Sequence, residues 1–156
     1  MSRYAATVVW TRKPGEPFLD GRYSRAHRWS FDGGADIPAS SSPNVVRVPY
    51  SDPAGVDPEE ALVASLSSCH MLFFLDFAKQ ARFVVESYED KAEGVLEKGA
   101  DGRVRMTKAT LRPLIRFAGG SAPSADELAE IHRKAHEACY IANSVTTQVK
   151  VEERKG

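Results

Sequence analysis

The stretch DPEEALVASLSSCHMLFFLDFAKQAR, residues 57–82, constrains the fold more than any other part of the chain. Its opening carries a helix start: Asp57 can cap, Pro58 suits the first helical position, and Glu60 stands three residues beyond the cap. Leu62, Leu66, Cys69, Leu72 and Phe73 then recur at steps of three and four, which predicts a core helix with Cys69 on its buried face. A thiol and an imidazole, Cys69 and His70, therefore sit in the middle of an apolar helix.

The segments around this helix read differently. Residues 1–50 are β-rich: RYAATVVW and RYSRAHRWSF have strand character, and Asp32-Gly33-Gly34 marks a turn after the second. Beyond the helix, residues 83–117 read as two strands joined at Asp101-Gly102, a strong hairpin signal, with Ala109, Leu111, Ile115 and Phe117 sharing one face. A second helix starts near Ser124, and Val145, Thr147, Val149 and Val151 alternate like a final strand. The order βββ-α-ββ-α-β, built on antiparallel hairpins, predicts an α+β fold. At 156 residues, one domain spanning 1–156 is expected, its last part running from 83 to 156.

Charge excludes some partners. Lys plus Arg and Asp plus Glu number 21 each, so no net charge draws the chain to nucleic acid or an anionic membrane. The N-terminus lacks signal-peptide anatomy, no run approaches the roughly 20 apolar residues of a membrane span, and two cysteines do not make a disulfide scaffold. A reducing cytoplasmic location is the expectation.

The second cysteine, Cys139, falls on the apolar stripe Leu128, Ile131, Ala135, Ala138, Cys139, Ala142 of the second helix. Each helix thus aims one thiol at the core. Two readings follow: small buried hydrophobes, or a reversible disulfide pair across packed helices.

Strict alternation in RYSRAHRWSF places Tyr23, Arg25, His27, Trp29 and Phe31 on the inner face. An inward arginine needs an anionic partner or a path for its stem to solvent. In the functional reading Arg25, held by Glu59, keeps Cys69 as a thiolate; otherwise Glu59 merely complements the helix dipole. Glu59 and Cys69 are ten residues apart, about 15 Å on one unbroken helix. Either the helix is interrupted or the carboxylate serves a thiol across a subunit interface, which leads us to expect a homodimer with composite sites.

DPEEALVASLSSC, followed about 70 residues later by HEACYIANSV, resembles the OsmC/Ohr family of organic hydroperoxide reductases. The resemblance covers most of the chain and implies an intertwined homodimer, with antiparallel sheets wrapped around two central helices. It implies Cys69 as the peroxidatic cysteine, Cys139 as the resolving one, and Glu59 as the carboxylate that positions an arginine. Arg25 is preferred for that arginine over Arg22 and Arg47. The implied reaction reduces organic hydroperoxides to alcohols through a sulfenic acid and a Cys69–Cys139 disulfide, without bound cofactor or metal. An external dithiol, lipoyl in some members, resets it. The FLDGRYSRAHRWSFDGG segment differs from the shorter glycine-rich hairpin of the Ohr branch and points to an OsmC-like one.

Two rivals come from other classes. His132, His136 and Cys139, spaced i, i+4 and i+7, with His70 beside Cys69, have the donor types of a zinc site. An OsmC-like dimer with inert thiols, kept for ligand binding or structure, is the non-enzymatic reading.

Overall fold

The computed structural model describes residues 1–120 and 122–154. The chain order is β1 (Ala6–Val9), β2 (His27–Phe31), β3 (Asp36–Ala39), α1 (Pro58–Gln80), β4 (Val85–Asp90), β5 (Glu93–Lys98), β6 (Val104–Leu111), β7 (Pro113–Phe117), α2 (Ala125–Ala138) and β8 (Gln148–Val151), with a 3-10 turn at Ala142–Ser144. This is an α+β fold, and its elements gather into two compact units that meet at Ala61 and Leu62 within α1.

In the first unit β1, β2 and β3 form an antiparallel sheet in that order. The Asp32-Gly33-Gly34 turn joins β2 to β3, with Gly34 at φ 86°, a conformation glycine adopts without steric cost. β2 begins only at His27, where its pairing with β3 ends opposite Ala39; β1 reaches no further than Arg28. Tyr23 and Arg25 therefore lie in the preceding loop and take no part in the alternation expected of them. Phe31, assigned to the inner face, is exposed.

Helix α1 starts as its residues dictate. The Glu60 N–H donates to Asp57 Oδ1 at 2.7 Å, and the Asp57 N–H reaches back to Glu60 Oε2 at 3.3 Å. It ends in a Schellman motif: Arg82 takes φ 65°, its N–H donates to the Lys79 carbonyl, and that of Phe83 to the Ala78 carbonyl. Between these caps the helix is unbroken for 23 residues. By length and composition alone it is long and apolar enough to cross a bilayer, although no 20-residue run of it is free of charge.

In the second unit each of the two strands expected after α1 is cut in two. β4 pairs with β7 and β5 with β6, all antiparallel, with breaks at Lys91–Ala92 and Arg112. The hairpin turn at Asp101-Gly102 is present, with Gly102 at φ 79°. β8 pairs with β6 in parallel, the one exception among the described strand pairs. At Gly94 on β5 an added Cβ would stand 2.1 Å from the Met106 sulfur and 2.6 Å from a Val63 methyl, so a side chain there would have to push both away from the face of this ribbon that lies against α1.

The core of this unit is the seam between the helices. Phe74 and Ala78 of α1 meet Ile131 and Ala135 of α2, with Phe77, Tyr88, Ile115, Phe117 and Leu128 packed around them. The buried positions of α1 are Leu66, His70, Phe74 and Ala78; this stripe shares Leu66 with the expected one and beyond it runs one residue later, through His70 and Phe74 in place of Cys69 and Phe73. Leu72 is 61% exposed, and Cys69 sits half-buried at the edge of the stripe. α2 opens with a full capping box, Ser124 with Glu127, and buries Ile131, His132 and Ala135. Its outer face carries an ion-pair ladder in which Arg133 bridges Glu130 and Glu137.

Candidate active site

Two pairs of reactive side chains cross the α1–α2 seam. One is sulfur. α2 ends at Ala138, and Cys139 caps it in an extended conformation, its sulfur buried and accepting from the Ala142 N–H at 3.4 Å. The Cys69 side chain is its hydrogen-bonding neighbour, and both thiols are free. Burial, and after it the bond with Cys69, pushes the Cys139 thiol up to about 11, against a smaller opposing effect of the Ala142 N–H. Phe73, one turn beyond Cys69, stacks edge-on against Tyr140 with centroids 5.1 Å apart, which gives the sulfur pair an aromatic flank.

The other pair is imidazole. His70 is 1% exposed and His132 6%. His70 Nε2 lies 3.0 Å from His132 Nδ1, with the rings inclined by 8°. Phe74 packs on the His132 ring, and Glu153, just past β8, brings Oε1 to 3.3 Å from His132 Nε2 without completing a hydrogen bond. Burial depresses both imidazoles to about 4, assisted at His70 by His136 and at His132 by His70. Burial also raises the Glu153 carboxyl. The sequence reading placed His70 beside the thiol without a role and put His132 on a metal-binding face. Neither histidine lay on the apolar stripe read for its helix, so no signal in the sequence paired them.

The remaining residues expected at the site lie in the first unit. Arg25 is half-buried, its Nη1 donating to the carbonyls of Gly21 and Tyr23 at 2.6 and 2.5 Å while the guanidinium stacks 3.7 Å above the Tyr23 ring. The guanidinium is thus held by backbone carbonyls and an aromatic ring, and no ion pair between Arg25 and Glu59 is formed. Arg22 pairs with Asp20 at 2.6 Å, and Arg47 lies over Tyr50 at 5.8 Å. Glu59 stands in the first turn of α1. Because α1 is continuous, the expected alternative of an interrupted helix falls. Glu59 and Cys69 stand ten residues apart on this one continuous helix.

The zinc reading fares no better in its geometry. Among the described residues no group of three or more His, Cys, Asp or Glu side chains is placed to hold a metal ion. His136 is exposed, and His132 spends Nδ1 on His70.

An α+β fold with one thiol from each of two packed helices defines the class. A family model described as OsmC-like protein matches residues 51–154, and the chain belongs to that family. The fold is shared by an OsmC-like protein of unknown function from Vibrio cholerae, 54% identical with a TM-score of 0.96, covering 99% of this chain and 100% of that one. An organic hydroperoxide resistance protein OsmC from Legionella pneumophila gives a TM-score of 0.70 at 14% identity, covering 99% of this chain and 100% of that one. The organic hydroperoxide resistance protein OhrB of Bacillus subtilis gives 0.61 at 18%, covering 97% and 98%. No curated protein sequence matches the chain.

Proposed function

We propose that this chain reduces organic hydroperoxides to alcohols with Cys69 and Cys139. The observation that carries this reading is the meeting of two free thiols across the helix seam, one at its edge and one buried. Their environments divide the labour. A buried thiol held up to about 11 is a poor first nucleophile, which leaves the attack to the more accessible Cys69. The Cys69 thiolate takes the distal oxygen of ROOH, becoming a sulfenic acid while the alkoxide leaves and is protonated to ROH. Cys139 then attacks that sulfur, water departs, and an external dithiol of lipoyl type returns the disulfide to two thiols.

Arg25, positioned by Glu59, is the cation assigned to the thiolate, and its present clamp on two carbonyls makes it a pre-formed donor on a short loop. A homodimer that brings Glu59 of one subunit to the thiols of the other accounts for the length of α1 between them. The Phe73 and Tyr140 rings suit the alkyl or aryl group of an organic substrate. A cytoplasmic location agrees with thiols kept reduced between turnovers.

The test is a thiol count on reduced protein mixed with cumene or tert-butyl hydroperoxide. The expected result is loss of two thiols per chain in an intramolecular disulfide, abolished by Cys69→Ser. Unchanged thiols sink the peroxidase reading in favour of a non-catalytic dimer.

A further inference from the structure

The proposed reaction moves protons, and the cation assigned to it cannot carry them. Cys69 must shed a proton to become a thiolate, the departing alkoxide must gain one, and the Cys139 S–H must lose its own as the disulfide closes. An arginine holds its charge throughout and neither takes nor gives a proton. A carrier is needed near the thiols, of which Cys139 is buried in the seam.

The second unit contains one. Glu153, its side chain 38% exposed, faces His132 Nε2 at 3.3 Å; His132 Nδ1 meets His70 Nε2 at 3.0 Å; and His70 Nδ1 is buried without a hydrogen-bond partner among the described residues. Three titratable groups thus run in file from the solvent edge to the residue that follows Cys69 on α1. His70 follows Cys69 directly on α1 and His132 stands two turns before Cys139 on α2, so both pairs belong to the same helix contact. The other groups that face the pair are His136 from α2 and Asp90 from β4, with Tyr88 of β4 beside Asp90 and Glu153; Phe74 closes one side of the His132 ring. Asp90 is occupied by the Ser67 hydroxyl and the Arg112 N–H.

We propose that Glu153, His132 and His70 form a proton relay between solvent and the thiols, holding and returning the proton that the sulfur chemistry exchanges. This inference rests on the peroxidase reading. A carboxylate 3.3 Å from His132 Nε2 attracts an N–H there and repels a lone pair. His132 Nδ1 is then the acceptor of the central bond, His70 Nε2 its donor, and His70 Nδ1 a buried lone pair. A proton arriving at His70 Nδ1 releases the one on Nε2 to His132 Nδ1, which in turn releases the one on Nε2 to Glu153. Each ring ends with one N–H, as it began, and the reverse passage restores both tautomers and delivers the proton to the alkoxide. Burial keeps both rings neutral near pH 7, so the lone pair is always available to accept. Glu153 is the positioning residue that sets both tautomers and the terminal acceptor at the solvent edge.

Glu153→Gln keeps the size of the rim side chain and removes its proton affinity. The expected result is a rate of peroxide-driven disulfide formation lowered by at least about tenfold, partial recovery in Glu153→Asp or with added acetate, and a solvent deuterium isotope effect larger than in the wild type. Melting temperature is followed alongside. A Gln variant with the wild-type rate and pH profile overturns the relay and leaves the peroxidase reading standing. So does a slowed Gln variant that neither Asp nor acetate restores, since that marks a packing role. A wild type that consumes no thiols overturns both.

Discussion

The two helices solve opposite problems. α2 has one face for the core and one for water: Ile131, His132 and Ala135 are buried, while Arg133 laces Glu130 and Glu137 together outside. α1 has no comparable water face. Between Glu60 and Asp76 it carries no Asp, Glu, Lys or Arg, and its unburied positions include Leu72, Phe73 and Leu75. A helix apolar on nearly all sides is one that expects cover. In the homodimer proposed above, α1 would take the centre and α2 the rim of its own subunit.

The contrast can be broken most forcefully at the buried side of α1. Phe74→Ala empties the centre of the seam and should cost about 3–5 kcal/mol in chemical denaturation; a loss below about 1 kcal/mol would mean that the seam is not where the unit's stability resides. Acid should act next most strongly, through the imidazole pair. Both histidines are depressed in the fold to about 4 from an ordinary 6.5, so their contribution is fully present above pH 6.5. As pH falls from 6.5 toward 4 the unfolded chain binds protons that the folded one refuses, and stability drops by on the order of 3 kcal/mol per ring, less than twice that for the coupled pair. Unfolding free energies measured between pH 7 and 4 should fall steadily, and His132→Gln should flatten the curve.

The exposed side of α1 offers a sharper comparison. Leu72→Glu leaves the seam intact, so melting of a single subunit should hardly change, while dimer dissociation measured by sedimentation should rise about tenfold or more. An unchanged dissociation constant would remove α1 from the interface. The smallest effect belongs to α2, where Ser124→Ala deletes one half of the capping box and should cost about 1 kcal/mol. Thermal denaturation of that variant, with its ion-pair ladder untouched, isolates the cap.

Much of this was legible in the residues. Asp57, Pro58 and Glu60 specify the start of α1 through local chemistry, Ser124 does so for α2, and Asp101-Gly102 fixes a hairpin, because each signal is complete within a few residues. The phase of α1 was not legible. With apolar side chains all round the helix, a three-four pattern fits several faces, and counting His70 as polar steers the stripe away from where burial places it. The strand through Arg25 failed for a different reason: alternation in sequence does not reveal where the partner strands stop, and β1 reaches no further than Arg28 and β3 no further than His27. Parallel pairing of β8 with β6 is likewise a matter of topology that side-chain periodicity does not encode. Of the site, the two cysteines were readable as a pair because each lay on an apolar stripe. The file of Glu153, His132 and His70 was not, since it joins residues from three distant segments.

The distance in sequence between the two adjoining sulfurs has a consequence for the chain as a polymer. Closing Cys69 on Cys139 ties off a loop of about 70 residues, which in a loop-entropy account withdraws on the order of 4 kcal/mol of freedom from the unfolded ensemble. That loop takes in most of the second unit, from the middle of α1 through four strands to the end of α2. Each oxidation would therefore leave the molecule harder to unfold and each reduction easier, so that the electron count of the site could be followed from the resistance of the whole chain to denaturant.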